Sequence, residues 1–67
     1  MGKLIEIMGR GEVEIEFESS LSAEEVLDRS GFSIESAVLK VNGDLALEDD
    51  EIEEDDEILV VPAISGG

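Results

Sequence analysis

Seven consecutive residues, 12 to 18, alternate strictly between carboxylates and apolar side chains. Successive side chains of a β-strand point to opposite faces of a sheet, so this pattern predicts a strand with one wet and one buried face. The apolar segment at residues 3 to 8 also predicts a strand, and Gly9-Arg10-Gly11 is typical of a turn. The chain is therefore predicted to begin with an antiparallel hairpin. The alternating residues are Glu12, Glu14, Glu16 and Glu18 on one side and Val13, Ile15 and Phe17 on the other.

The hydrophobic period changes at Ser22, where the sequence predicts the start of a helix. Ser22 and Glu25 have the spacing of a capping box, in which the hydroxyl accepts from the Glu25 N–H and the carboxylate accepts from the Ser22 N–H. The helix is predicted to run from about Ala23 to Ser30. Gly31 then supplies the left-handed backbone conformation that commonly ends a helix.

Three further strands are predicted in the second half, at residues 37–41, 45–47 and 58–61. Asn42-Gly43 between the first two is a strong signal for a two-residue hairpin turn. The stretch from Glu48 to Glu57 is acidic, and its one apolar residue, Ile52, is expected to anchor this loop to the core.

The predicted order of strand, strand, helix, strand, strand, strand indicates an α+β protein. One helix would pack on one face of a mixed sheet of four to five strands, which is the ubiquitin-like β-grasp arrangement. The nearly continuous apolar run at 58–61 favours a central strand, and Pro62 should end it because proline has no N–H to donate. We expect a β-grasp domain over residues 1–61 and a flexible C-terminal tail over 62–67.

Composition narrows the classes of function. The chain has 67 residues, which leave little room for a deep pocket, and it lacks both Cys and His. Thiolate chemistry, disulfides and the commonest general base are therefore excluded. A net charge of −15 disfavours nucleic acid and anionic membranes as partners. Without a long apolar run or a signal-peptide pattern, the expectation is a monomeric cytoplasmic protein.

The excess of acidic residues has three readings. Salt screens the mutual repulsion of carboxylates, so the composition suits a halophilic protein that works in a salty cytosol. A solubilising surface, or one that docks on a basic partner, is the alternative.

The acidic run at 48–57 lacks the spacing of an EF-hand loop, and we expect no bound metal or cofactor. Paired carboxylates of a glycosidase type carry no weight without a cleft.

The tail is the first candidate for chemistry. Gly66 and Gly67 have no Cβ, so this end can thread a narrow active-site channel and present an unhindered carboxylate. A carboxylate must be activated before it reacts, typically as an acyl adenylate, and that chemistry would belong to a partner enzyme. The alternative reading is a frayed terminus or a cloning scar.

The sheet offers the second candidate, a docking surface. Alternation along 37–41 and 58–61 implies that each strand turns one set of side chains away from the helix. Whether Leu59 and Val61 or Ile58 and Val60 face outward stays open at this point. Exposed apolar patches on small proteins mark docking surfaces. The residues predicted to dock a partner are Val38, Lys40, Leu59, Val61 and Ile64.

Three segments carry a resemblance to a known family: Val41-Asn42-Gly43-Asp44, Asp56-Glu57-Ile58, and the end Val61-Pro62-Ala63-Ile64-Ser65-Gly66-Gly67. They resemble the ThiS/MoaD sulfur-carrier family and the related archaeal ubiquitin-like small modifiers. Ile52 matches the apolar loop anchor of that family. Asp55 departs from the pattern, since the family usually has Gly before the residue that aligns with Asp56.

The resemblance implies that the chain is a substrate and not an enzyme. Gly67 would be adenylated by a ubiquitin-activating-type enzyme that consumes ATP. The product would become a thiocarboxylate for a sulfur acceptor enzyme, or would be joined by an isopeptide bond to lysines of target proteins. The acidic bias favours a salt-adapted archaeal member. A non-covalent β-grasp interaction module with an incidental Gly-Gly tail is the alternative, and a small acidic enzyme is a third hypothesis.

Overall fold

The structure is a computed structural model that describes residues 2–63. This part of the chain contains one helix and seven strands, and the predicted hairpins and helix are confirmed within one or two residues. Two additional strands, at residues 20–22 and 51–53, have three residues each. The elements are β1 (Gly2–Ile7), β2 (Gly11–Glu16), β3 (Ser20–Ser22), α1 (Ala23–Arg29), β4 (Ala37–Val41), β5 (Asp44–Ala46), β6 (Glu51–Glu53) and β7 (Ile58–Pro62).

Five strands form a mixed sheet in the order β2-β1-β7-β4-β5. β7 runs parallel to β1, whereas the other neighbouring pairs are antiparallel. The predicted α+β, β-grasp fold with one helix against a mixed sheet is thereby confirmed. The predicted central position of the last strand is also confirmed, since β7 lies in the middle and ends at Pro62.

The core lies between α1 and the inner face of this sheet. Ala23, Val26 and Leu27 are the buried residues of the helix. The sheet and its loops supply most of the remaining apolar contacts, and the apolar set of the alternating segment is buried as predicted at Ile15 and Phe17. The largest fully buried side chains are Phe17, Ile5, Leu39, Ile52, Val26 and Val60.

The helix ends follow the predicted capping chemistry in part. The Ser22 hydroxyl accepts from the Glu25 N–H at 3.2 Å, and Gly31 has a φ of 91°. The Glu25 carboxylate, however, accepts from Arg29 Nε at 2.9 Å, one helical turn further on. The Glu25 carboxylate thus forms an ion pair with Arg29 instead of the predicted hydrogen bond from the Ser22 N–H.

The acidic stretch is more ordered than the predicted loop. Leu21 of β3 pairs directly with Ile52 of β6, and Ile52 is 1% exposed, which confirms it as the anchor. The N–H of Ala23 donates to Asp50 O at 2.9 Å, so the start of the helix is tied to the same stretch. Strands of three residues are too short to leave a periodic signal, and their pairing joins segments about thirty residues apart in the sequence.

Candidate functional site

Strand pairing settles which side chains of β7 face away from the helix. Val38 lies opposite Val61, and Lys40 lies opposite Leu59. The alternate residues of β7 are buried, so Leu59 and Val61 are on the outward side together with the exposed Val38 and Lys40. Four of the five predicted docking residues therefore share one face of the sheet. The fifth, Ile64, lies outside the described residues, and docking itself stays a prediction.

The sequence reasoning missed three apolar residues of this face. Leu4, Met8 and Leu45 are 61%, 53% and 66% exposed, respectively. Leu45 pairs with Lys40, and the Met8 N–H donates to Val60 O at 2.9 Å, which continues β1 alongside β7. The alternation of side chains along a strand could have predicted Leu4 and Met8, because the neighbours of the buried Ile5 and Ile7 point outward. We define the open-face patch as Leu4, Met8, Val38, Leu45, Leu59 and Val61.

The same face becomes acidic towards β2. Glu6 of β1 lies opposite Glu12 of β2, and the next outward residue of β2, Glu14, lies opposite Leu4. Like charges directly opposite each other across a strand pair destabilise the pair. The face is thus half apolar and half carboxylate, with Lys40 as the cation of the apolar half. We define the acidic row as Glu6, Glu12, Glu14 and Glu16.

The tail leaves the sheet at a fixed point. Pro62 pairs with Ala37, and the Ala63 N–H donates to Ser36 O at 2.7 Å. The patch residues Leu59 and Val61 therefore lie on β7, and the chain reaches the end of the sheet next to Ser36. Gly66 and Gly67, the predicted reacting end, lie outside the described residues.

Two of the resembling segments contact each other through Asn42. Its N–H donates to Glu57 O at 2.7 Å, its Oδ1 accepts from the Glu57 N–H at 2.9 Å, and its Nδ2 donates to Asp56 Oδ1 at 3.2 Å. The pKa of Asp56 is held below its ordinary value first by the hydrogen bond from the Glu53 N–H and then by the Asn42 amide, with the Lys3 charge contributing. These bonds fix the β4–β5 turn to the segment before β7.

The departure at Asp55 leaves the turn intact. Among the non-glycine residues of 2–63, Asn42 alone has a positive φ, so Asp55 does not occupy a conformation that favours glycine. The turn is closed by the Asp56 N–H, which donates to Glu53 O at 3.1 Å. The Asp56 carboxylate closes it a second time, accepting from the Glu53 N–H at 2.8 Å.

No group of three or more carboxylates in 2–63 converges closely enough to hold a metal ion. Within the same residues, the one helix, α1, has seven residues and is far too short to cross a membrane.

Comparison with known protein families agrees with this geometry. The model of the ThiS family matches residues 1–67, the whole of the sequence including its Gly-Gly end. The members of this family are small carrier proteins and not enzymes. The match, the β-grasp fold and the Asn42 contacts between the resembling segments lead to one conclusion: the chain belongs to the ThiS family of ubiquitin-like sulfur carriers.

Proposed function

We propose that the chain works as a carrier whose Gly67 carboxylate is activated by an ATP-dependent enzyme of the ubiquitin-activating type. The observation that carries this proposal is the family match through the last residue of the sequence. The carboxylate would attack the α-phosphate of ATP, release pyrophosphate and give an acyl adenylate. Gly66, having no side chain, would let the end pass through a narrow channel to the nucleotide.

The acyl adenylate can then follow either of two routes. In the first, the persulfide of a partner displaces AMP, and a second thiol breaks the S–S bond of the acyl disulfide, leaving a thiocarboxylate and a disulfide. A sulfur acceptor enzyme then consumes the thiocarboxylate. In the second, a thiol displaces AMP, and a lysine amine of a target protein displaces that thiol to form an isopeptide bond. The chain itself needs no bound cofactor, because ATP belongs to the activating enzyme.

The open-face patch is the proposed docking surface for the activating enzyme. Its apolar residues lie on four neighbouring strands, β1, β7, β4 and β5, and exposed apolar patches mark interaction sites. Leu59 and Val61 lie on the strand that leads into the tail. The four residues after Ala63 can extend about 14 Å, at roughly 3.4 Å per residue. An enzyme bound to the patch would therefore keep its nucleotide close to the end of β7.

The mass of the intact chain tests the sulfur route. The protein is incubated with its activating enzyme, ATP and a persulfide donor, and the expected product is heavier by the difference between one sulfur and one oxygen atom. A variant that lacks Gly67 is the control and should keep its mass. An unchanged mass for the full chain, with an enzyme shown to adenylate it, would refute the sulfur route.

The modifier route has its own test in cells. Conjugates of higher mass should be found on lysines of target proteins, and they should disappear when Gly67 is deleted. The open-face patch is independent of the tail and so also supports the alternative, a non-covalent interaction module. That alternative predicts full function after removal of both Gly66 and Gly67.

A further inference from the structure

A recessed surface lies beside the helix and reaches the open face of the sheet at Val38. Its first part is a depression of about 200 Å³ between α1, the start of β4 and the end of β5. This volume is below the roughly 300–1,000 Å³ of small-molecule pockets and suits a single inserted side chain. The residues that line it include Leu27, Ile34, Ala37, Ala46, Leu47 and Glu48.

The second part adjoins the first and has an acidic rim. Ile34 belongs to both depressions, and Phe32 adds apolar surface on the far side of it. The carboxylates of the second depression lie on α1 and on the connection that follows it. We define the helix-side groove as the two depressions together, and the acidic residues of the second are Glu24, Glu25, Asp28 and Glu35.

Ile34 is held in place by a closed turn. The Ser33 N–H donates to Ser36 Oγ at 2.9 Å, and the Ser36 N–H donates to Ser33 O at 3.0 Å. Ile34 sits between them with 38% of its surface exposed, and Leu47 across the first depression is 69% exposed. The backbone that presents Ile34 is therefore held by hydrogen bonds, which lowers the entropic cost of binding at this residue.

Most carboxylates around the groove have no ion-pair partner within residues 2–63, although the Arg10 guanidinium lies over the Phe32 ring, 5.8 Å from its centre. Glu25 pairs with Arg29 at 2.9 Å, but within residues 2–63 no ion pair involves Glu24, Asp28, Glu35 or Glu48. Glu24 and Asp28 are four residues apart on α1, a spacing at which like charges repel. A cationic occupant would relieve that repulsion while it covers the apolar floor.

We propose that the helix-side groove binds a segment of a partner protein in which an aliphatic side chain is flanked by Lys or Arg. The aliphatic side chain would enter the depression between Leu27 and Leu47, and the cations would face the rim. The Ala63 N–H donates to Ser36 O, two residues from Ile34, so the bound partner would lie beside the root of the tail. Val38 lines the first depression and also belongs to the open-face patch, so the two surfaces meet at this residue.

The test uses the full 67-residue chain, labelled with ¹⁵N, and a synthetic peptide of lysines with two central leucines. Amide chemical shifts map the bound peptide, and a titration gives the Kd. Two companion peptides replace either the leucines by serine or the lysines by glutamate. Two pairs of protein variants are compared. Ile34→Ser in the groove is matched by Leu4→Ser in the open-face patch. The double variant Glu24→Gln/Asp28→Gln in the groove is matched by Glu12→Gln/Glu14→Gln in the acidic row, which removes the same charge.

The expected shifts cluster around Ile34, Leu47 and the exposed side of α1. Ile34→Ser should weaken binding by about fivefold or more, as expected for losing one buried aliphatic contact, whereas Leu4→Ser should leave it nearly unchanged. The Glu24/Asp28 pair of changes should weaken binding more than the Glu12/Glu14 pair.

Any of three results would overturn the proposal: shifts centred on the open-face patch, equal effects of the two charge pairs, or equal binding of the peptide without leucine. No activating enzyme takes part in this assay. A failure here therefore leaves the proposed activation of Gly67 untouched, and a failure of activation leaves this groove untouched.

Discussion

The open face of the sheet has two halves that follow the same alternation and carry opposite side chains. Towards β2 the face carries the carboxylates of the acidic row. From β1 to β5 it carries the apolar residues of the open-face patch, with Glu6 and Lys40 among them. β2 is an edge strand, and its charges discourage pairing with a strand of another molecule. The apolar half is centred on β7, the strand that leads to the tail. The acidic half protects the edge of the sheet against pairing, and the apolar half is the surface that we propose for docking.

The largest expected effect is a difference in unfolding free energy between substitutions on the inner and the outer face of β4. Leu39 is 1% exposed and its neighbour Val38 is 44% exposed. Leu39→Ala should cost about 2–5 kcal/mol of unfolding free energy through lost burial and a cavity. Val38→Ala should cost less than about 1 kcal/mol. Urea denaturation of both variants measures this difference, and equal costs would contradict the assignment of inner and outer faces.

The next effect separates the two halves of the open face by function. Val38→Asp places a charge in the open-face patch and should slow the activation of the chain about tenfold or more, as expected for an interface anchor. Glu12→Gln, in the acidic row, should change the rate little. Rates of ATP-dependent thiocarboxylate formation by mass spectrometry provide the measurement. A similar loss from both variants would show that docking does not depend on the apolar half.

A smaller effect concerns the acidic row alone. Glu12 faces Glu6 across the hairpin, so Glu12→Gln should stabilise the protein by about 0.2–1 kcal/mol at low salt. Glu14 faces Leu4, and Glu14→Gln is the matched control with a weaker effect. The gain should vanish in 1 M KCl, where the Debye length is about 3 Å.

The same repulsion predicts the salt response of the unchanged protein. Because KCl screens the 19 acidic residues from one another, the melting temperature should rise with KCl concentration. A melting temperature that stays flat or falls would refute the interpretation of the composition as an adaptation to high salt.

The smallest effect is a pH dependence at Asp56. Its pKa is lowered in the folded protein, so its ionised form contributes stability that is present above the ordinary pKa of 3.8 and is lost as the pH falls through the folded value. Asp56→Asn should therefore cost more at pH 7 than in strong acid. Asp55→Asn, at the exposed neighbouring position, is the matched control for the loss of one carboxylate. Thermal melts of both variants across the acid range provide the measurement. A cost of Asp56→Asn that does not change with pH would contradict the prediction.

Local sequence determined much of the fold because its signals act over a few residues. Alternation fixed the buried face of β2, Ser22 fixed the start of α1 through its own side chain, and Gly31 supplied the left-handed stop. Asn42-Gly43 fixed a tight hairpin. The order of these elements then left few ways to cover one face of a sheet, so the β-grasp arrangement could be predicted.

The tertiary structure decided what the periodic signals could not. The run at 58–61 is apolar at every position, and pairing with β1 and β4 was needed to turn Leu59 and Val61 outward. The β3–β6 pair and the contact between Asn42 and Asp56 join residues distant in sequence, and no local pattern encodes such a partner. The helix-side groove likewise exists because α1, the Ile34 turn and Leu47 are brought together by the packed core. The sequence determined which residues prefer to be buried, and the closing of the sheet around one core determined which of the others share a surface.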